Sequence, residues 1–348
     1  MSTFLSTLAA ARARFVLALA PMLLLAACGG GGGSGGTPAP VFGAVIITSA
    51  NQLAVAASAL DTATNIEAAR SGTTLVTGVQ VASGFGGAAT LRLESAARTL
   101  LGHLRSAPAL ATGATIDRVD NCSLGGTIRV TGTIAGTEGV AAGDAVTVIA
   151  SDCTELVDGV ATTMNGTLSI TVTAGSYDSA NIVYPAHVVL QLQATAFSMR
   201  TASATVVADG DALVDLTETG ATTGTVVVSG AALTNTTTSG GFTRTATLQD
   251  YRQAVTFNGS TLTTDVTAHV EASTDLLGRV SYDVSTPTPL TASDTAFTGG
   301  SLLVTGNRSA LLLTVTGSNT FALDLDIDGD RLVDFTTSAT LADLEDRL

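Results

Sequence analysis

Gly126-Thr127-Ile128-Arg129-Val130-Thr131-Gly132 decides the fold class of this chain. Polar and apolar side chains alternate between two glycines, the pattern of a half-buried strand bounded by tight turns. It recurs as Gly224-Thr225-Val226-Val227-Val228-Ser229-Gly230 and as Gly300-Ser301-Leu302-Leu303-Val304-Thr305-Gly306. Short Thr, Val, Ile and Ser runs of the same texture, broken by Gly, extend from about residue 115 to 340. They predict a large antiparallel sheet over 115–348.

Other motifs in this region also repeat. Asp209-Gly210-Asp211-Ala212-Leu213-Val214-Asp215 returns as Asp328-Gly329-Asp330-Arg331-Leu332-Val333-Asp334, and Asn165-Gly166 is echoed by Asn258-Gly259. The order strand motif, Asn-Gly, Asp-Gly-Asp appears twice at irregular spacing, which suggests a duplicated multi-strand unit and not a solenoid.

Upstream of the sheet the texture is helical. A strand is expected at 41–48. Ser49-Ala50-Asn51-Gln52 then reads as a capping box, followed by Leu53, Ala56, Ala57, Leu60 and Ala63 at helical spacing. A second helix is expected over about 90–105, with Leu93, Ala97, Leu100, Leu101 and Leu104 as its stripe and Pro108 beyond its end. A short helical turn should close the chain at 341–348. The fold class is therefore β-dominated α+β: N-terminal helical segments, then the sheet. Segment 41–114 is expected to form one domain with 115–348.

The N-terminus carries an address. Arg12 and Arg14 precede thirteen apolar residues, 15–27. As a helix these span about 20 Å, short of the roughly 30 Å hydrocarbon core, so a signal peptide over 1–27 fits better than a permanent span. It ends in Leu25-Ala26-Ala27-Cys28, which resembles the lipobox of bacterial lipoproteins at every position. The resemblance implies cleavage before Cys28 and acylation of that residue (palmitate among the acyl groups), so that the lipid bilayer becomes a partner through the anchor. In that family an Asp after the Cys retains the protein at the inner membrane; Gly29 here implies the outer membrane of the cell envelope. Residues 28–40 follow as a Gly/Ser tether that stiffens into Pro. Beyond its anchor the chain resembles, in texture, β-rich envelope lipoproteins, a likeness that implies no activity.

Charge and composition narrow the function. The net charge is −14, and near −16 once Arg12 and Arg14 leave with the signal peptide. Such a surface disfavours nucleic acid as a partner. All fifteen basic residues are Arg, so chemistry that needs a lysine amine is excluded. Trp is absent, and with only four Tyr the chain is poor in stacking platforms.

Cys122 and Cys153 remain after lipidation. Strands 126–132 and 144–150 should pair around a Gly-rich loop at 135–143, with Gly126 opposite Ile149 and Gly132 opposite Gly143. That register sets Cys122 opposite Cys153, within bridging reach, in a compartment where disulfides persist.

The one dense set of potential metal ligands is Asp324, Asp326, Asp328, Asp330 and Asp334. Alternating Asp followed by Gly resembles EF-hand-like calcium loops. Counted from Asp324, Phe335 stands where the bidentate Glu belongs; counted from Asp326, Arg331 replaces the Gly. The competing expectation is a hairpin tip on Asp328-Gly329-Asp330, with Leu325 facing Val333, Leu323 facing Phe335 and Asp324 facing Asp334. In the first copy the same hairpin would set Asp215 opposite Thr205.

His103, His187 and His269 lie in no catalytic motif, and no cofactor-binding motif is present. The expected function is a non-catalytic structural or binding role in the envelope. The alternatives are a carrier of lipid or another apolar ligand held by a curved sheet, and a hydrolase whose site assembles only in space.

Overall fold

The computed structural model describes residues 41–65, 114–135, 140–157, 159–177, 183–293 and 296–347. The second expected helix, Cys28 and His103 lie outside them. Residues Val41–Leu348 form one unit, distinct from Met1–Pro40.

The sheet has sixteen strands. In chain order they are β1 (Gly43–Ala44), β2 (Ala114–Asn121), β3 (Gly125–Ile134), β4 (Val140–Ala141), β5 (Ala145–Val157), β6 (Val160–Tyr177), β7 (Ala186–Arg200), β8 (Ala204–Gly220), β9 (Thr223–Ser239), β10 (Phe242–Asn258), β11 (Thr261–Thr274), β12 (Gly278–Ala292), β13 (Phe297–Thr305), β14 (Ala310–Gly317), β15 (Thr320–Asp326) and β16 (Phe335–Thr340). Two helices are described, α1 (Gln52–Asn65) and α2 (Leu341–Glu345). From β2 to β16 the chain is a meander in which sequential strands pair, with β4 set aside against β6 and β1 joined in parallel to β12. The β-dominated fold expected from the sequence is the observed one.

One face of the sheet is buried and the other is open. Side chains alternate accordingly: in β11, Leu262, Thr264, Val266, Ala268, Val270 and Ala272 are all buried. The open face is rich in threonine, and cross-strand hydroxyl pairs join Thr234 to Thr247 at 2.9 Å, Thr236 to Thr245 at 3.2 Å and Thr238 to Thr243 at 3.1 Å. Such β-branched polar pairs hold a solvated sheet face without adding apolar surface.

Strands of up to eighteen residues are bent by a row of bulges across the sheet. Positive φ angles mark it at Asp152 in β5, Gly166 in β6, Ala196 in β7, Gly210 in β8, Asp250 in β10 and Gly300 in β13. A bulge frees a backbone amide from the ladder, and an orphan amide is costly. A side chain on the adjacent strand accepts from it. Asn165 takes the Asp152 N–H at 2.8 Å, Asp209 takes Ala196 N–H at 2.9 Å, and Thr286 takes Val266 N–H at 2.9 Å. Asp211 takes the N–H groups of Ala231 and Ala232, each at 3.2 Å.

This row corrects the hairpin expected at the first Asp-Gly-Asp. Asp209-Gly210-Asp211 lies in the middle of β8, its carboxylates buttressing bulges on both neighbouring strands. Asp215 pairs with Val189 and Val227, not Thr205. Asn165-Gly166 is likewise mid-strand, whereas Asn258-Gly259 sits at the β10–β11 turn. The repeated motifs therefore occupy unlike places in one continuous sheet.

Helix α1 packs on the buried face against β13 and β14, and reaches β12 and β10 through Ser58–Tyr282 (2.7 Å), Arg244–Asp61 (3.3 Å) and Gln253 Nε2 donating to the Ala63 carbonyl (3.1 Å). Val55, Ala56, Ala57, Ala59, Leu60 and Ala63 are all buried, so the helix is covered well beyond the single stripe its spacing suggested. The small alanines allow that close packing. The expected Ser49–Gln52 capping box does not form. Asn51 precedes the helix and its side chain turns back to accept from Thr48 N–H at 2.8 Å. The expected strand at 41–48 shrinks to β1, because Val45 and Ile47 bond instead to Ser281 and to Ser309 in the β13–β14 turn. At the other terminus α2 is closed by a capping box between Thr340 and Asp343. No helix among the described residues is long and apolar enough to cross a membrane.

Candidate functional site

The acidic loop follows β15, where Leu323 and Leu325 anchor the strand in the core. It runs over 327–334 before β16 begins at Phe335. The three-residue hairpin expected there is corrected: Leu325 pairs with Phe335, Leu323 with Thr337 and Asp324 with Thr336. The Thr336 hydroxyl donates to Asp324 at 2.7 Å, so the like-charge pairing with Asp334 does not arise. The longer loop satisfies its own amides with carboxylates, which a tight tip could not do.

Asp326 is the organising residue. Its Oδ1 accepts from Gly329 N–H at 2.7 Å and its Oδ2 from Arg331 N–H at 2.9 Å. Asp328 accepts from Asp330 N–H at 3.2 Å, Asp330 from Leu332 N–H at 2.8 Å, and Asp334 from Ile327 N–H at 2.8 Å. Gly329 and Arg331 both take left-handed φ, 80° and 70°. Gly329 lies close over the backbone of Arg308 in the β13–β14 turn.

Of the five aspartates, the fold brings Asp326, Asp328 and Asp334 together, with ligand oxygens within 4.8 Å of one another. Asp324 is turned to Thr336, and Asp330 serves the Leu332 amide. Carboxylate oxygens in such a group are hard donors, the chemistry that suits Ca²⁺ over thiophilic metals. The bidentate position of an EF-hand, counted from Asp326, is held by Thr337.

The cysteine pair forms a disulfide, Cys122–Cys153, with Cα atoms 5.4 Å apart. The register that pointed to it is corrected. Ile128 pairs with Ala150 and Gly132 with Val146. Cys122 lies in the β2–β3 turn, donating its N–H to the Gly126 carbonyl, and the Asp152 bulge shifts Cys153 to meet it. Buried Glu155 accepts from the Ser123 N–H and hydroxyl and fixes the same turn.

Three polar features lie outside any sequence motif. Glu218 is fully buried on β8 between Ala186 and Gly224, with neither carboxylate oxygen hydrogen-bonded. Burial pushes its carboxyl up to about 7. Two open-face histidines each meet an aspartate on the next strand: His187–Asp215 at 3.0 Å and His269–Asp283 at 2.7 Å. Period-two alternation at Glu218 (buried Val214 and Leu216 precede it) is the signal that places it inward; the histidine pairs depend on register alone.

No family model, curated protein or solved structure matches this chain.

Proposed function

We propose that this chain is a lipid-anchored protein of the bacterial cell envelope, held at the outer membrane through Cys28, whose β-domain has a non-catalytic structural or binding role. The observation that carries the proposal is Leu25-Ala26-Ala27-Cys28 after an apolar run too short to span a bilayer, followed by the Gly/Pro tether. The Cys122–Cys153 disulfide suits an oxidising compartment. The acidic balance suits an envelope protein that avoids nucleic acid.

Within this reading, a structural module is favoured over a carrier of apolar ligands. A carrier needs open apolar volume between helix and sheet. Among the described residues, α1 packs directly on the buried face at β13 and β14, and its Val55, Ala56 and Ala59 are completely buried.

Mass spectrometry of the native protein tests the anchor. The expected chain begins at Cys28 and carries acyl mass, and Cys28→Ser abolishes palmitate labelling. A native N-terminus elsewhere, or labelling that survives the substitution, overturns the proposal.

A further inference from the structure

The two ends of the sheet differ in a way that the fold does not require. Val41 precedes β1, which runs parallel to β12 from Val280 onward, so the described chain begins at the end where β12 starts. The turns β2–β3, β5–β6, β7–β8, β9–β10, β11–β12, β13–β14 and β15–β16 gather at this same end. Large apolar side chains stand exposed on these tips. They include Leu124, Phe242 and Leu276 on three turns and Leu332, Val333 and Phe335 on the last, with Phe242 and Leu332 each 67% exposed. At the opposite end, the exposed large apolar residues among those described are Val183 and Tyr184. An apolar rim of this kind is costly to leave in water and marks an interaction surface.

Unpaired arginine is concentrated at the same end, with Arg347 beyond α2 the exception among the described residues. Arg200 ends β7, Arg279 opens β12, and Arg308 and Arg331 lie in the β13–β14 and β15–β16 turns. All four are exposed and none makes an ion pair with a described residue. By contrast Arg118, Arg129, Arg244 and Arg252 are each paired with an aspartate. In a chain of net charge −14, free guanidinium groups interleaved with exposed Leu, Val and Phe fit a phosphate-bearing apolar boundary. Asp275, Asp326, Asp328, Asp330 and Asp334 share this end, so it carries no net positive charge, which suits zwitterionic over anionic headgroups.

We infer that these tips form a lipid-facing surface. The apolar tips enter the interfacial layer of a zwitterionic phospholipid bilayer and the four arginines meet its phosphates. The choice of occupant rests on the anchor reading above: only the twelve residues 29–40 separate Cys28 from Val41, which opens the domain at this end. That tether would hold the rim within reach of the membrane, where weak apolar contacts suffice.

The chain has no tryptophan, so single-Trp variants report without background. The full chain carrying Phe242→Trp or Leu332→Trp is reconstituted with phosphatidylcholine–phosphatidylethanolamine vesicles, with Tyr184→Trp as the opposite-end control. The expected result is blue-shifted emission from 242 and 332 that loses about half its intensity when the acyl chains are brominated, as interfacial burial requires. The control stays red-shifted and unquenched. Substituting Arg200, Arg279 and Arg308 by Gln should weaken the quenching several-fold. Water-like, unquenched emission from both tips overturns the surface. So does a blue shift without lipid quenching that accompanies a doubled mass in sedimentation, which would assign the rim to a second copy. Acyl mass at Cys28 is measured on the same samples: its absence refutes the anchor alone, because quenching still reports the surface.

Discussion

Tyr251 on β10 reaches across β9 to Asp211 on β8, its hydroxyl donating to the Asp211 carbonyl at 2.6 Å. Gly230, between them, makes the contact possible. A Cβ there would stand 2.6 Å from the Asp211 carbonyl oxygen and 2.7 Å from the Tyr251 ring and hydroxyl. The same Asp211 accepts the two amides freed by the β9 bulge. One aspartate, one glycine and one tyrosine thus tie three strands where each is bent.

Gly230→Ala should therefore be costly, although its backbone conformation needs no glycine. The added methyl displaces the tyrosine ring and breaks its hydrogen bond, for a loss of about 2–4 kcal/mol. Tyr251→Phe alone should cost about 1 kcal/mol, and the double variant less than the sum. Denaturant unfolding of the three variants checks this; additive losses would mean that the glycine acts elsewhere.

Glu218 should make stability fall as pH rises. Its folded carboxyl titrates at about 7 and its ordinary value is 4.5. Below 4.5 both states hold the proton. Between 4.5 and 7 the unfolded chain releases it while the folded chain keeps it, so folding loses ground by an amount on the order of 3 kcal/mol, then levels off. Glu218→Gln removes that slope. Melting curves collected from pH 4 to 8 that fall equally in both proteins would refute the assignment.

The strands were legible because alternation is written into each segment: Thr, Val and Ile at period two need no distant information. Their pairing was less so. The register expected for Cys122 and Cys153 was wrong although the bridge forms: from Gly132–Val146 to Thr127–Ser151 the strands pair three residues away from it, and Cys122 reaches Cys153 from the β2–β3 turn, a position that composition does not announce. Asp209-Gly210-Asp211 and Asp328-Gly329-Asp330 look alike in sequence, yet one is a strand bulge and the other a loop. What separates them is whether the neighbouring strands offer amides to cap, which only the assembled sheet decides. The acidic loop could be located in advance; which three of its aspartates converge could not.

Reduction of the disulfide should weaken the domain without unfolding its far edge. Cys122 and Cys153 are 31 residues apart, and releasing a loop of that size costs about 3–4 kcal/mol on the loop-entropy estimate. The bridge ties the β2–β3 turn to β5. Hydrogen exchange in the Cys122→Ala/Cys153→Ala variant should therefore quicken over β2, β3 and β5 and leave β13 to β15 unchanged. Uniform acceleration would show that the bridge stabilises the sheet as a whole.

Asp326 and Arg331 should respond in opposite directions. Asp326 accepts two loop amides at once, from Gly329 and Arg331, and is itself largely buried. Asp326→Ala leaves both donors without that acceptor and should cost about 2–3 kcal/mol. Arg331 holds a left-handed φ of 70°, a region that penalises a side chain by roughly 1 kcal/mol relative to glycine. Arg331→Gly relieves that strain, partly offset by the greater freedom of glycine in the unfolded chain, and should leave stability unchanged or slightly higher. Adding Ca²⁺ to each protein separates a loop held by its own hydrogen bonds from one completed by a cation. If the hydrogen bonds carry the loop, Asp326→Ala lowers the melting temperature equally with calcium and with chelator. A wild-type rise in calcium that Asp326→Ala and Asp334→Ala both abolish would assign Asp326, Asp328 and Asp334 as ligands instead.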